Sequence, residues 1–85
     1  MIEREAIITA YTTTKALGIR VSVRLQVVYA LACSTKPKGM KPSEISRQIH
    51  QHRAYVSREI QILNRQGVIK RNLYEGRFIY YVLKH

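Results

Sequence analysis

The chain has 85 residues and a formal net charge of +10 at pH 7, because 15 lysines and arginines face only five acidic residues. A chain of this length forms one small domain, since a second hydrophobic core would not fit into it. The basic excess predicts a polyanionic partner, either nucleic acid or an anionic membrane surface.

The sequence argues against membrane insertion and secretion. No stretch approaches the roughly 20 consecutive apolar residues that a membrane-spanning helix needs. The start of the chain, where Glu3 and Glu5 flank Arg4, lacks the basic and then apolar layout of a signal peptide. We therefore expect a soluble, cytoplasmic protein whose partner is nucleic acid rather than a membrane.

The predicted single domain spans residues 1–85, and its first element is a helix over residues 2–17. Gly18 offers an end to this helix, and one face at helical spacing contains Ile7, Ala10, Tyr11, Thr14 and Leu17. Three consecutive threonines, residues 12–14, lose side-chain freedom in a helix. This helix is therefore expected to depend on packing, for which a second subunit is one candidate.

A second helix is predicted over residues 23–34. Ser22 suits its N-cap, because a serine hydroxyl accepts a hydrogen bond from a free backbone N–H of the first turn. A wide apolar stripe indicates a helix buried on most sides, formed by Leu25, Val27, Val28, Tyr29, Leu31 and Ala32. The lone Cys33 excludes an internal disulfide. We predict a buried thiol, with a cross-link between two copies or a reactive thiol as alternatives.

Residues 34–42 contain two prolines and a glycine, so they are predicted to form an exposed loop that ends the second helix. Pro42 suits the first position of a third helix, and Glu44 favours the positive end of its dipole. Ile45 and Ile49 are four residues apart and give this short helix one narrow apolar stripe.

A fourth helix is predicted from about Arg53 to Gln66. Val56, Ile60 and Leu63 fall on one side of it. The opposite side and its flanks carry residues that can contact base edges, namely Ala54, Tyr55, Ser57, Arg58, Gln61 and Arg65. Arginine forms two hydrogen bonds with guanine, and glutamine forms two with adenine. The alternative is an ordinary solvated face, because arginine and glutamine are good helix formers.

A β-hairpin is predicted after Gly67. The segments VIKRNLY and RFIYYVL are rich in β-branched and aromatic residues, and Glu75 and Gly76 between them supply a turn. Six cations and two acids lie between Arg53 and Arg77, which gives this part of the chain a balance of +4. Phosphate contacts are expected from Arg53, Arg65, Lys70, Arg71 and Arg77.

Residues 41–83, about half of the chain, resemble the winged helix-turn-helix of the MarR and ArsR groups of transcription regulators. The matching features follow the order of the family: Ser43-Glu44-Ile45, Val56-Ser57-Arg58 with Ile60 and Leu63, Gly67-Val68-Ile69, Arg71, Glu75-Gly76-Arg77 and Tyr81-Val82-Leu83. The resemblance implies an α+β fold in which helices precede a C-terminal hairpin wing, with an extra N-terminal helix. Residues 1–20 occupy the place of the helices through which such regulators dimerise.

The resemblance also implies how DNA would be contacted. The helix that begins at Arg53 would lie in a major groove, and Arg77 at the hairpin tip would reach a flanking minor groove or the backbone. The family usually has Ser or Thr near the start of the recognition helix, whereas this chain has HQHRAY. The base preference of the family therefore does not transfer.

Catalysis and metal binding are not expected. The chain has no aspartate, and each glutamate is predicted at a helix end or on the surface, so no carboxylate pair lies in an apolar setting. His50, His52 and His85 have no cysteine or acid at ligand spacing. We predict neither an enzyme nor a bound cofactor or metal.

Six tyrosines raise the alternative that exposed rings stack on the bases of a single strand. Tyr80 and Tyr81 are adjacent on a predicted strand and face opposite sides, which leaves at most one of them outward. Tyr29 belongs to the predicted core stripe. Tyr55 and Tyr74 remain as the two candidates for exposed rings.

The sequence thus predicts a sequence-specific double-stranded DNA-binding transcription regulator. We expect a homodimer, because one recognition helix contacts few bases and two-fold symmetry doubles that number. Two alternatives stay open. One is a winged helix that binds structured RNA through its phosphates. The other is a protein-interaction winged helix in a transcription or replication assembly, with the apolar face of residues 23–34 as the contact.

Overall fold

A computed structural model describes residues 3–84 of the chain. Within this range four helices precede an antiparallel hairpin, with α1 at Arg4–Ala16, α2 at Val23–Cys33, α3 at Pro42–Ile49, α4 at Arg53–Arg65, β1 at Ile69–Tyr74 and β2 at Phe78–Leu83. This order confirms the predicted α+β winged-helix architecture. Residue 2, the predicted start of the first helix, and His85 lie outside the described residues.

The hydrophobic core is built around α2, which packs against α1, α3, α4 and β2. Ser22 caps this helix as predicted, because its Oγ accepts a hydrogen bond from the Leu25 backbone N–H at 3.2 Å. The other elements contribute buried apolar side chains from one face each, namely Ile7, Ile45, Val56, Ile60, Leu63, Ile69, Tyr81 and Leu83. The α2 side chains therefore hold the helices and the hairpin together.

Cys33 is exposed, so the predicted buried thiol is wrong. The buried residues of α2 are Val27, Val28, Ala30, Leu31 and Ala32, whereas Leu25 and Tyr29 are half-buried. Cys33 follows Tyr29 by four residues, so both lie on the side of α2 that turns away from the core. The predicted apolar stripe therefore extends too far toward this side, where Leu25 and Tyr29 are only half-buried.

The first helix packs on α2 through one side only. Of its predicted apolar face only Ile7 is buried, while Leu17, just after the helix, is 69% exposed. The ring of Tyr11 stacks on that of Tyr29 in α2, with 3.7 Å between the ring centroids. The guanidinium of Arg4 donates hydrogen bonds to backbone carbonyls at the end of α2. Packing on α2 thus holds one side of α1 and leaves the other side uncovered.

The hairpin has the predicted turn. Glu75 and Gly76 adopt left-handed conformations, with φ of 54° and 67°, and the Arg77 N–H donates to the Tyr74 carbonyl at 3.2 Å. Two successive positive φ angles give a turn whose twist matches that of paired strands. The register pairs Ile69 with Leu83, so the chain folds back on itself over the full length of both strands.

The loop before α3 adds a short bridge to the sheet that was not predicted. Met40 and Tyr81 exchange two backbone hydrogen bonds, of 3.0 and 2.8 Å. Gly39 beside it has a φ of +91°, and a Cβ at this position would lie 2.2 Å from the Tyr81 carbonyl oxygen. Only glycine allows the loop to approach β2 this closely. This bridge involves one residue from the loop, which is too short for the alternating pattern of a strand. The sequence therefore did not predict it.

Candidate nucleic-acid interface

The rotation of α4 is fixed by its apolar side. Val56, Ile60 and Leu63 are buried against α2 and α3. Because these residues lie on one side of the helix, the opposite side turns outward. The helix therefore presents a defined polar surface rather than a mobile one.

The predicted base-contacting residues lie on this outward side. Side chains of Arg53, Ala54, Tyr55, Arg58, Gln61 and Arg65 are exposed, and Ser57 on the flank is half-buried. Within residues 3–84, no hydrogen bond or ion pair engages the side chains of Arg58, Gln61 or Arg65. The structure brings these side chains together on one surface with their donors directed to solvent.

An ion pair between a buried carboxylate and an exposed arginine holds α4 from its inner side. Glu59 is 8% exposed, and its Oε2 accepts a hydrogen bond from the Arg24 Nε of α2 at 2.7 Å. The prediction that every glutamate lies at a helix end or on the surface is therefore wrong for Glu59. Its spacing of three residues from Val56 and four from Leu63 places it on the apolar side of the helix. Glu59 thus belongs to the packing of α4 and not to its outward surface.

The connection between α3 and α4 is tight, as a helix-turn-helix requires. His50 ends α3 in the left-handed region with a φ of 56°. His52 caps α4, because its Nδ1 accepts a hydrogen bond from the Ala54 backbone N–H at 3.2 Å. Histidine therefore caps the start of α4, near which the MarR and ArsR groups usually have serine or threonine. The sequence did not reveal this role, because histidine is not a preferred N-cap residue.

The start of α3 carries a second ion pair. Oε2 of Glu44 accepts a hydrogen bond from Lys36 Nζ at 2.8 Å, and its Oε1 accepts one from the Lys41 backbone N–H at 2.9 Å. The hydrogen bond from Lys36 and then that from Lys41 lower the pKa of Glu44 below its ordinary 4.5. This carboxylate therefore stabilises the first turn of α3 and the loop before it.

The three predicted phosphate contacts of the hairpin do not form one cluster. Lys70, Arg71 and Arg77 are all exposed. Lys70 pairs with Val82 and Arg71 with Tyr81, and successive side chains of a strand point to opposite faces. Arg71 therefore lies on the face of the hairpin that turns toward the helices, Lys70 lies on the outer face, and Arg77 lies at the tip.

Two other features are absent from residues 3–84, a metal-binding cluster and a membrane-spanning helix. In this range no three His, Cys, Asp or Glu side chains gather as they would around a metal ion. None of the described helices is both long and apolar enough to span a membrane.

Solved structures with the same fold place the chain among winged-helix proteins. The Helicobacter pylori ferric uptake regulator Fur has 21% sequence identity and a TM-score of 0.69, over 96% of this chain and 58% of that chain. T. potens IscR has 20% identity and a TM-score of 0.65, over 82% of this chain and 53% of that chain. The Vibrio cholerae ferric uptake regulator Fur has 17% identity and a TM-score of 0.61, over 89% of this chain and 62% of that chain.

These comparisons establish the fold and not the family. The chain spans between 53% and 62% of the length of these three structures. Neither the models of known protein families nor the curated proteins give a match to the sequence. The resemblance to MarR and ArsR regulators is therefore supported for the winged-helix fold, and membership of either group is not. Two of the three structures are ferric uptake regulators by name.

Proposed function

We propose that the chain is a transcription regulator that binds double-stranded DNA by sequence, inside the cell, with α4 in the major groove. The supporting observation is the outward surface of α4, where Arg58, Gln61 and Arg65 are exposed on a helix held by a buried opposite side. The major groove admits an α-helix, and its base edges offer the acceptors and donors that arginine and glutamine match.

Base reading and phosphate contact are assigned to different side chains. Arg58, Gln61, Ser57 and Tyr55 are proposed to contact base edges, and Ala54 is small enough to touch a thymine methyl group. Phosphate contacts are proposed for Arg53, Arg65, Lys70, Arg71 and Arg77. The net charge of +10 supports the phosphate contacts, because they supply most of the affinity that does not depend on sequence.

We propose further that the chain acts as a homodimer through α1. The side of α1 that faces away from α2 is uncovered, and Leu17 and Ile19 beyond its end are 69% and 58% exposed. A two-fold dimer would set two copies of α4 about one turn of DNA apart, on two half-sites of a palindrome. The fold shared with two ferric uptake regulators supports the class of regulator, and their iron response is not carried over.

Selection of bound duplexes from a random pool tests this function. The expected result is an enriched palindrome with half-sites about 10 bp apart. An enriched pool without any common sequence would contradict sequence-specific reading. Competition with RNA of the same length separates the RNA alternative, because RNA that displaces the selected duplex would favour structured RNA as the ligand. A protein that stays monomeric and binds neither at about 0.1 M salt would favour the protein-interaction alternative. The contact predicted for that alternative, the apolar face of residues 23–34, is buried in the core, so the partner would have to bind elsewhere.

A further inference from the structure

The outer face of the hairpin carries aromatic rings that the proposed reading by α4 does not use. Tyr74 pairs with Phe78 and Asn72 pairs with Tyr80, so these side chains alternate with those that face the core. The next residue, Tyr81, is buried on the inner face. Three rings therefore share one face of the sheet, on the side away from the helices.

Each of these rings has a cation close to it. Lys41 Nζ lies 4.8 Å from the ring centroid of Phe78 and 5.7 Å from that of Tyr80. Lys38 Nζ lies 5.3 Å from the ring centroid of Tyr74. The rings of Tyr74 and Tyr80 meet edge to face, with 5.4 Å between their centroids. The five residues Lys38, Lys41, Tyr74, Phe78 and Tyr80 form one surface, called here the aromatic–lysine face.

The backbone holds the two lysines in place beside the rings. Lys38 and Lys41 flank Gly39 and Met40, which are pinned to β2 by the close approach of the loop and by the Met40–Tyr81 bridge. The acid nearest in sequence to Lys41 is Glu44, and its carboxylate accepts hydrogen bonds from Lys36 and from the Lys41 backbone. The charge of Lys41 also helps to lower the pKa of Glu44, but its ammonium forms no ion pair within residues 3–84 and can still contact an anionic partner.

We propose that the aromatic–lysine face binds the unpaired bases of a single-stranded nucleic acid. Exposed aromatic rings offer stacking platforms to bases of any sequence, and cations beside them contact the backbone phosphates. Phe78 is 39% exposed, whereas Tyr74 and Tyr80 are half-buried, so the ring of Phe78 is the most open of the three to a base. A flat base has the shape and the π-face for this surface, and its phosphate supplies the negative charge that the lysines match.

On binding, a base replaces a lysine ammonium over the aromatic ring. In the free protein the ammonium groups lie over the rings through cation–π contacts, which are weak at exposed sites. Because a lysine side chain is a flexible four-carbon stem, a base can take the place of the ammonium on the ring. The ammonium then moves to the phosphate of the bound strand. This surface lies on the opposite face of the hairpin from α4, so it does not use the base-reading side chains of α4. It does adjoin two proposed phosphate contacts, because Lys70 lies on the same face and the Arg77 guanidinium lies 5.9 Å from the Phe78 ring centroid.

The test uses fluorescence anisotropy with two labelled strands of about 20 nucleotides, a thymine DNA strand and an abasic strand of the same charge. The whole chain should bind the thymine strand about fivefold more tightly than the abasic strand, or more. In Phe78→Leu/Tyr80→Leu, leucine keeps apolar bulk on the strand and removes two stacking platforms. This variant should lose about tenfold or more on the thymine strand and little on the abasic strand.

A matched control lies on the other face of the same hairpin. Leu73→Ser changes an exposed residue of β1 and should leave both affinities unchanged. Circular dichroism of each variant verifies that the hairpin is folded. Equal affinity of the whole chain for the thymine and abasic strands would overturn the proposal, because charge alone would then explain binding. An unchanged affinity in the folded Phe78→Leu/Tyr80→Leu variant would overturn it as well.

Two further measurements show whether the preferred strand is RNA or DNA and separate this proposal from duplex binding. A uracil RNA strand of equal length shows whether RNA or DNA binds more tightly, and the tighter one must lose affinity in the double variant. Arg58→Ala should retain binding to the thymine strand and lose affinity for the selected duplex. An equal loss on both ligands would overturn the separation of the two surfaces, whereas failure of the duplex selection alone would leave the aromatic–lysine face intact.

Discussion

His50 ends α3 with a φ of 56°, a conformation that glycine adopts without the steric penalty of a side chain. His50→Gly should therefore raise the free energy of unfolding by about 0.5–1 kcal/mol, measured by urea denaturation. Gln48→Gly in the same helix is the control, because an exposed helical position loses about 1 kcal/mol on substitution by glycine. Loss of stability in both variants would contradict the conformational reason given for His50.

Glu44 provides a test of the ion pair at the start of α3. Because its pKa is lowered below 4.5, its stabilising contribution is complete above that pH and is lost as the pH falls through the folded-state pKa. The stability advantage of the wild type over Glu44→Gln should therefore be largest near neutral pH and shrink in acid, as measured by urea denaturation at several pH values. Lys36→Met, which removes the main cause of the shift, should reduce this pH dependence. An advantage that does not change with pH would contradict the assignment.

At the scale of elements, the contact between α2 and α4 sets the direction of the outward surface. Arg24→Met removes the partner of a buried carboxylate and should cost about 1–3 kcal/mol of stability, because the charge of Glu59 is left without compensation. In Arg24→Met/Glu59→Met, apolar side chains replace both charges, so part of this stability should return. Thermal or urea unfolding of the two single variants and the double variant gives the coupling between the residues. Additive losses would show that the pair does not hold α4.

The elements were predictable where one or two residues carry a strong local signal. Ser22 and Pro42 marked the starts of α2 and α3, and the strong amphipathicity of α4 gave its outward side. In α2 nearly every residue is apolar, so its own sequence does not define which side faces the core, and Cys33 was placed wrongly for this reason. Glu59 had the spacing of a core residue, but its partner Arg24 is 35 positions away and is brought near only by the fold.

In the candidate interface, too, local features were predictable and contacts between distant residues were not. The exposed side chains of α4 were predicted from helical periodicity alone. The cap formed by His52 was not, because it depends on the turn geometry before α4. The aromatic–lysine face needed the strand register and the position of the loop at Gly39, since Lys41 and Phe78 are far apart in the sequence. The sequence pattern thus does not predict contacts between distant segments.

The uncovered side of α1 bears on the oligomeric state. Leu17→Glu/Ile19→Glu should convert the proposed dimer into a monomer, because two charges would be buried at the interface without partners. Sedimentation equilibrium measures the mass, and affinity for the selected palindrome should fall with it. Leu73→Glu is the matched control, since it charges an equally exposed leucine outside α1. A dimer that persists in the double variant would contradict the role of this end of α1.

We propose that the outward side of α4 reads base edges, while the cations around it contact phosphates. The most direct measurement is the affinity of wild type, Arg58→Ala and Arg77→Ala for the selected duplex and for its single-base variants, at several salt concentrations. Arg58→Ala should cost about 1–3 kcal/mol and abolish the preference at one base position only. Arg77→Ala should weaken binding to every duplex alike and reduce the salt slope by about one unit per contact. An equal loss from both changes on every duplex would contradict the account.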